Sequence, residues 1–224
     1  MRVAVAVAAS LLFAAASARA SDHDEQVWTS LTASTGLSSR LDATLEVHAR
    51  YTDEVSRLGQ LLVRPSVTLR LPRSFSLTAG YVYFRNDPRG GAVMHEHRAW
   101  EQVAYTLRRA DSGPLITGRT RLEQRFRVRS NDTGWRVRQQ LRFQSPIRRG
   151  EQVAALVWNE TFIGLNGTRW GARAGLDQVR TFIGLNIPIA KGLAVEPGYL
   201  NQTVFRPGPD RINHIAAANV VARF

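Results

Sequence analysis

The chemistry this chain can do is concentrated in its guanidinium groups. Arginine recurs at Arg119, Arg121, Arg125, Arg127, Arg136, Arg138 and Arg142, with Glu123 set in the same alternation. Side chains two apart on an extended chain share a face. This spacing therefore stacks planar, permanently charged forks that bind carboxylate or phosphate oxygens in pairs. Arg50 and Arg180 occupy the polar register of two other segments and join the set. Such a face suits small anionic solutes such as acidic sugars, phosphates or carboxylates.

Two histidine groupings offer other chemistry. His48 shares a face with Glu46 and Arg50 and has the neighbours of a general base, but no nucleophile signature accompanies it. A barrel-type lipid hydrolase is thus a minor alternative, and no enzymatic activity is expected. His95 and His97 flank Glu96 with two imidazoles on one side of an extended chain. A metal centre needs three or four ligands and no partner cluster is visible. No metal or cofactor is expected, and these residues are expected to be solvated at a loop edge.

The arginines alternate with a second register. Ile116, Gly118, Thr120, Leu122, Gln124, Phe126 and Val128 lead into Trp135, Val137, Gln139, Leu141 and Phe143, separated by a turn over 130–134. The pattern is a β-hairpin with one mostly apolar face and one guanidinium face. A soluble β-sandwich would put the apolar face inside, whereas a transmembrane barrel turns it toward lipid and encloses the polar face. About eleven segments have strand character and none reads as an amphipathic helix. Leu41–Tyr51 alternates most cleanly and Val27–Leu37 least, and Pro65 counts against a regular ladder in Leu61–Leu71. Connections alternate between short turns and longer loops, as the two ends of an outer-membrane barrel do.

Composition supports export. Arg2, the apolar run from Val3 to Ala16 and Ala18-Arg19-Ala20 form a cleavable signal peptide, residues 1–20, before one domain over 21–224. The chain has no cysteine and a formal charge of +12, and Lys191 is its single lysine. A basic balance raises nucleic acid as a partner. Export, and arginines without interleaved aromatic platforms, argue against it.

The chain finishes on Ala216, Ala218, Val220, Ala222 and Phe224. This end resembles the C-terminal strand of bacterial outer-membrane barrels, which implies recognition by the barrel-insertion machinery. Trp28-Thr29-Ser30, Asn159-Glu160 with Phe162, Arg180 with Gly184, and Pro197-Gly198-Tyr199-Leu200 with Gln202 resemble an uncharacterised family of Gram-negative outer-membrane barrels known as a domain of unknown function. The resemblance implies the fold and no activity. The expectation is an all-β, closed, antiparallel transmembrane barrel of ten to twelve strands in the cell outer membrane. Ten full strands behind an irregular first segment fit best, because bacterial single-chain barrels are ordinarily even-numbered. The arginine-rich interior is then a porin-like narrow channel or binding lumen for anions. The alternatives are a structural barrel filled by Arg/Glu pairs without transport, and a soluble periplasmic sandwich that binds an acidic partner.

Overall fold

A computed structural model describes residues 21–110, 113–148 and 150–224. Eleven strands follow in chain order: β1 (Asp22–Gly36), β2 (Leu41–Thr52), β3 (Arg57–Arg70), β4 (Phe75–Asn86), β5 (Met94–Arg109), β6 (Leu115–Arg127), β7 (Thr133–Pro146), β8 (Ala154–Gly164), β9 (Gly175–Ala190), β10 (Leu193–Val204) and β11 (Arg211–Arg223). Consecutive strands pair antiparallel, and β1 pairs with β11 in parallel, closing the sheet. Closure leaves no unpaired edge. The one helical piece among the described residues is a 3-10 turn, Pro72–Ser74.

The alternation resolves in favour of polar inside and apolar outside. In β6, Arg121 and Glu123 are 2% and 0% exposed, whereas Phe126 on the opposite register is 43% exposed. In β7, Arg136 and Arg138 are buried while Trp135 and Leu141 are exposed. A sandwich would bury Leu141 and release Arg138 to solvent, so the sandwich reading is excluded. Most of the buried apolar side chains that turn inward form two small clusters. Trp28, Leu156, Phe182, Leu200 and Ile215 make one, and Leu62, Val82 and Trp100 the other.

The first segment corrects the sequence expectation of ten strands. β1 is a full wall strand of 15 residues, above the roughly 9–11 that span a bilayer. It looked irregular because its hydropathy is mixed on both faces. Trp28 turns inward beside Asp24 and Gln26, while Glu25 and Thr29 turn outward. A closed ring of eleven strands must contain one parallel seam, and β1–β11 is that seam. Both seam strands run from the end carrying connections 53–56, 87–93, 128–132, 165–174 and 205–210 toward the end carrying 37–40, 71–74, 110–114, 147–153 and 191–192. The former is called the loop end here and the latter the turn end. Asp22 therefore begins at the loop end, and Phe224 stops at the turn end, where its amide donates to the Ser34 carbonyl at 2.9 Å.

Two other features bear on the sequence expectations. β5 begins at Met94, so His95–His97 lie within a strand rather than at a loop edge, and the preceding loop is 87–93. Pro65 lies inside β3 opposite Leu45, and the β3–β4 register skips Arg64 and Pro65 without shifting. The segment expected to be a signal peptide, residues 1–20, lies outside the described residues.

A candidate anion-binding lumen

All ten residues singled out from sequence share the inward register, but they do not form one site. Six charged groups make a continuous chain across three strands and the start of a fourth. Asp177 accepts from Arg136 at 2.9 Å, and Arg136 also donates to Glu123 at 2.7 Å. Glu123 accepts from Arg138 at 2.6 Å, Arg138 donates to Glu160 at 2.8 Å, and Arg119 reaches Glu160 at 3.1 Å. Three guanidiniums thus meet three carboxylates, and the group is neutral. Charges removed from water are tolerated only when paired and hydrogen-bonded in this way.

Separate pairs complete the lining. Glu96 accepts from Arg98 at 2.6 Å and from Arg125 at 2.7 Å. Arg142 donates to Glu196 at 2.6 Å. Arg64 donates to Glu46 at 2.6 Å, and the same carboxylate meets His48 at 3.1 Å. Arg127 donates to the Trp170 carbonyl at 2.8 Å instead of to an acid. His48 therefore sits in the lumen as expected, engaged with Glu46.

Like Arg127, three more inward arginines have no carboxylate within 4.0 Å among the described residues. Arg121 lies 3.7 Å from the Trp100 ring centre and donates to Gln102. Arg50 and Arg180 share the Trp28 ring, their guanidinium carbons 3.8 and 5.0 Å from its centre. Arg50 donates to Gln60 at 3.0 Å and Arg180 to Gln178 at 2.9 Å, so each has only an amide for a partner. The Nε of Arg50 is buried with no protein acceptor. Two like charges are held less than about 9 Å apart by an aromatic plate, since cation–π attraction to one ring offsets part of their repulsion.

This pair lies on the boundary between two cavities. A space of about 490 Å³ opens from the loop end, reached by Asp53, Asp87, Arg206 and Arg211. A second, of about 310 Å³, lies toward the turn end around Glu46, His48, Arg142 and Glu196. Trp28, Arg50, Arg64, Arg138 and Arg180 line both. Arginine and aromatic side chains at mid-height thus separate a loop-side from a turn-side compartment.

Acids at the loop rim are tied to arginines as well. Hydrogen bonding from Arg57, with Arg85 adding to it, holds the Asp87 carboxyl below its ordinary range. A hydrogen bond from the Arg169 side chain does the same for Asp132. Each rim carboxylate thus stays ionised and paired, bracing a loop over the entrance.

Sequence reasoning missed Glu96 and Arg98, because the stretch around His95-Glu96-His97 read as a loop edge. They continue the inward alternation Glu96, Arg98, Trp100, Gln102. His95 and His97 are not at a solvated loop edge but on the outer wall of β5, where Tyr83 meets His95 at 2.8 Å and Tyr81 meets His97. Glu160 also escaped assignment. Its inward neighbours are Trp158 and Phe162, so its strand shows no simple polar register.

The comparisons bear on this geometry. Residues 25–213 match a family described as protein of unknown function (DUF2490). The chain belongs to that family. An uncharacterized protein of Methylorubrum extorquens is 36% identical over 223 residues, with 96% of each chain covered. In this DUF2490 barrel, the motifs read from sequence converge on the divided lumen. Phe162 carries the guanidiniums of Arg138, Arg180 and Arg136, the nearest at 4.4 Å. Gly184 and Gly198 are register partners, and a Cβ at either would collide with the Phe182 ring. Their missing side chains make the notch in which Phe182 stacks on Trp158, with ring centres 5.3 Å apart.

Proposed function

We propose that this protein is an outer-membrane barrel that binds a small anion in its loop-side compartment and does not conduct continuously. The observation that carries the reading is the Arg50–Trp28–Arg180 arrangement: one buried and one half-buried guanidinium without a carboxylate partner, at the floor of a cavity open toward the loop end. Enclosure by low-dielectric walls concentrates their field and raises the local anion concentration. Planar forks gathered at one ring suit a ligand with two or more oxygens, such as a phosphate or a di- or tricarboxylate.

The outward apolar register supports the membrane setting. The neutral chain from Asp177 to Arg119 supports closure, because it occupies the space that a channel would leave to water. An eight-stranded barrel is already filled by its side chains, and eleven strands add only modest width. The C-terminal strand ending in Phe224 is the segment that would engage the insertion machinery.

The test combines three measurements. Density-gradient fractionation is expected to recover the protein with outer membranes. Calorimetric titration of detergent-solubilised protein with inorganic phosphate and with citrate is expected to give saturable binding, abolished by Arg50→Gln in protein that keeps heat-modifiable gel mobility. Planar bilayers are expected to show no steady conductance. A sustained anion current would overturn closure, and binding unchanged by Arg50→Gln would overturn the site.

A further inference from the structure

The outer wall is not uniformly apolar. Between Leu41 and Ala49 on β2, and between Leu61 and Leu69 on β3, every outward residue is Leu, Val, Ala or Pro. Across β5–β9, on the other side of the ring, a polar band crosses the wall. Glu101 sits midway along β5, exposed on the same outer register as Val103. Its carboxylate accepts from Gln124 of β6 at 2.9 Å. Thr120 donates to Gln139 of β7 at 2.6 Å, and Gln139 donates to Tyr105 at 3.1 Å. Asn159 of β8 donates to Thr181 of β9 at 3.0 Å. Thr120 and Gln139 are register partners, as are Asn159 and Thr181.

If the wall faces acyl chains, this band is costly. A carboxylate at mid-wall has no water to solvate it, and intramembrane polar side chains ordinarily face a protein partner. The band is also directional. Its β5 end is a carboxylate that accepts one bond from Gln124 and has further acceptor capacity. Its β8–β9 end offers an amide and a hydroxyl. A two-fold axis through Gln139, on the middle strand of the five, would bring the acceptor end of one copy against the donor end of the other. Such isologous pairing needs no second kind of protein.

We propose that β5–β9 is the contact face of a symmetric dimer of this chain. The proposal rests on the membrane reading above, because in water the band would simply be solvated. Hydrogen bonds between partners in a membrane are individually modest, so removing the carboxylate contact should weaken association by about tenfold.

The absence of native cysteine makes single-cysteine cross-linking unambiguous. Val137→Cys lies beside Gln139 on the outer register of β7, and Leu45→Cys lies on β2 across the ring. In native outer membranes under oxidising conditions, Val137→Cys is expected to give disulfide dimers and Leu45→Cys monomers. Adding Glu101→Leu and Gln139→Leu to Val137→Cys should reduce the dimer about tenfold and leave heat-modifiable folding intact. Membrane recovery with no more cross-linking at Val137→Cys than at Leu45→Cys would overturn the dimer and leave the membrane reading standing. A cross-link to a protein of different mass would also overturn it, in favour of a different partner. Recovery of the protein as a soluble species would overturn both readings.

Discussion

Glu123 is the acid whose loss the lumen should feel most. It is fully buried, and its carboxylate accepts three bonds, from Arg136 Nε at 3.1 Å, Arg136 Nη2 at 2.7 Å and Arg138 Nη1 at 2.6 Å. Replacement by leucine leaves two guanidiniums with one acid apiece, Asp177 for Arg136 and Glu160 for Arg138, and the neutral chain gains a net positive charge. Three charge-assisted bonds at about 1.5–3 kcal/mol each set an upper range of about 4–9 kcal/mol. Because both arginines keep a partner, the lower end applies, about 4 kcal/mol, within the range for breaking a buried ion pair. For a domain of this length that corresponds to roughly 8–16 °C in Tm. The Glu123→Leu, Arg138→Leu double variant leaves two complete pairs, Asp177–Arg136 and Glu160–Arg119. It should be more stable than Glu123→Leu alone. Circular dichroism melts of refolded protein, with gel mobility as a second readout, measure both. A single variant within about 2 °C of wild type, or a double variant equal to the sum of the singles, would refute the neutral-chain account.

Three further outcomes follow from other parts of the molecule. Citrate at about 100 times its dissociation constant should raise the stability of wild type by roughly 2.7 kcal/mol and leave Arg180→Gln unmoved; a thermal-shift series with citrate measures this. Acid should loosen the loops over 128–132 and 165–174 first: the Asp132 carboxyl is lowered by its hydrogen bond from Arg169. The stability that pair adds is complete above the unfolded aspartate value and is lost as pH falls through the lowered folded value. Amide exchange across those loops between pH 5 and pH 3 should therefore accelerate ahead of the strands, and Asp132→Asn should remove the pH dependence. Finally, Asp53, Glu54 and Val55 take consecutive left-handed conformations, with Val55 at φ 62°. A β-branched residue is strained there, so Val55→Gly should raise stability by about 1 kcal/mol, read from denaturant midpoints.

The fold was legible because period-2 alternation survives wherever the two faces differ in hydropathy, as in β2, β6 and β7. It failed where lumenal aromatics blurred that difference. Trp28 in β1, and Trp158 and Phe162 in β8, are apolar residues on the inward register, so neither strand alternates cleanly, which hid both a full wall strand and the facing of Glu160. The arginine face was legible as a face, since alternation alone places Arg119 to Arg142 together. Its pairing was not, because partners such as Glu160, Asp177 and Glu196 come from strands far along the chain, brought near only when the ring closes. The distinction between paired arginines and the unpaired Arg50 and Arg180 is likewise a property of closure. The parity problem was visible as about eleven strand-like segments where even numbers are the rule. Its solution was a parallel seam rather than a missing strand.

The most direct test of the central claim, apolar outside and guanidinium inside a closed wall, is nitroxide scanning of single-cysteine variants along 119–128 and 135–142 in reconstituted bilayers. Lipid-soluble oxygen and a water-soluble nickel chelate would serve as relaxation agents. The account predicts period-2 accessibility, with Leu122, Phe126 and Leu141 in contact with oxygen in the acyl region and Arg121, Glu123 and Arg138 shielded from it. Residues on the Leu122 register shielded from oxygen, with those on the Arg121 register open to the nickel chelate, would contradict it.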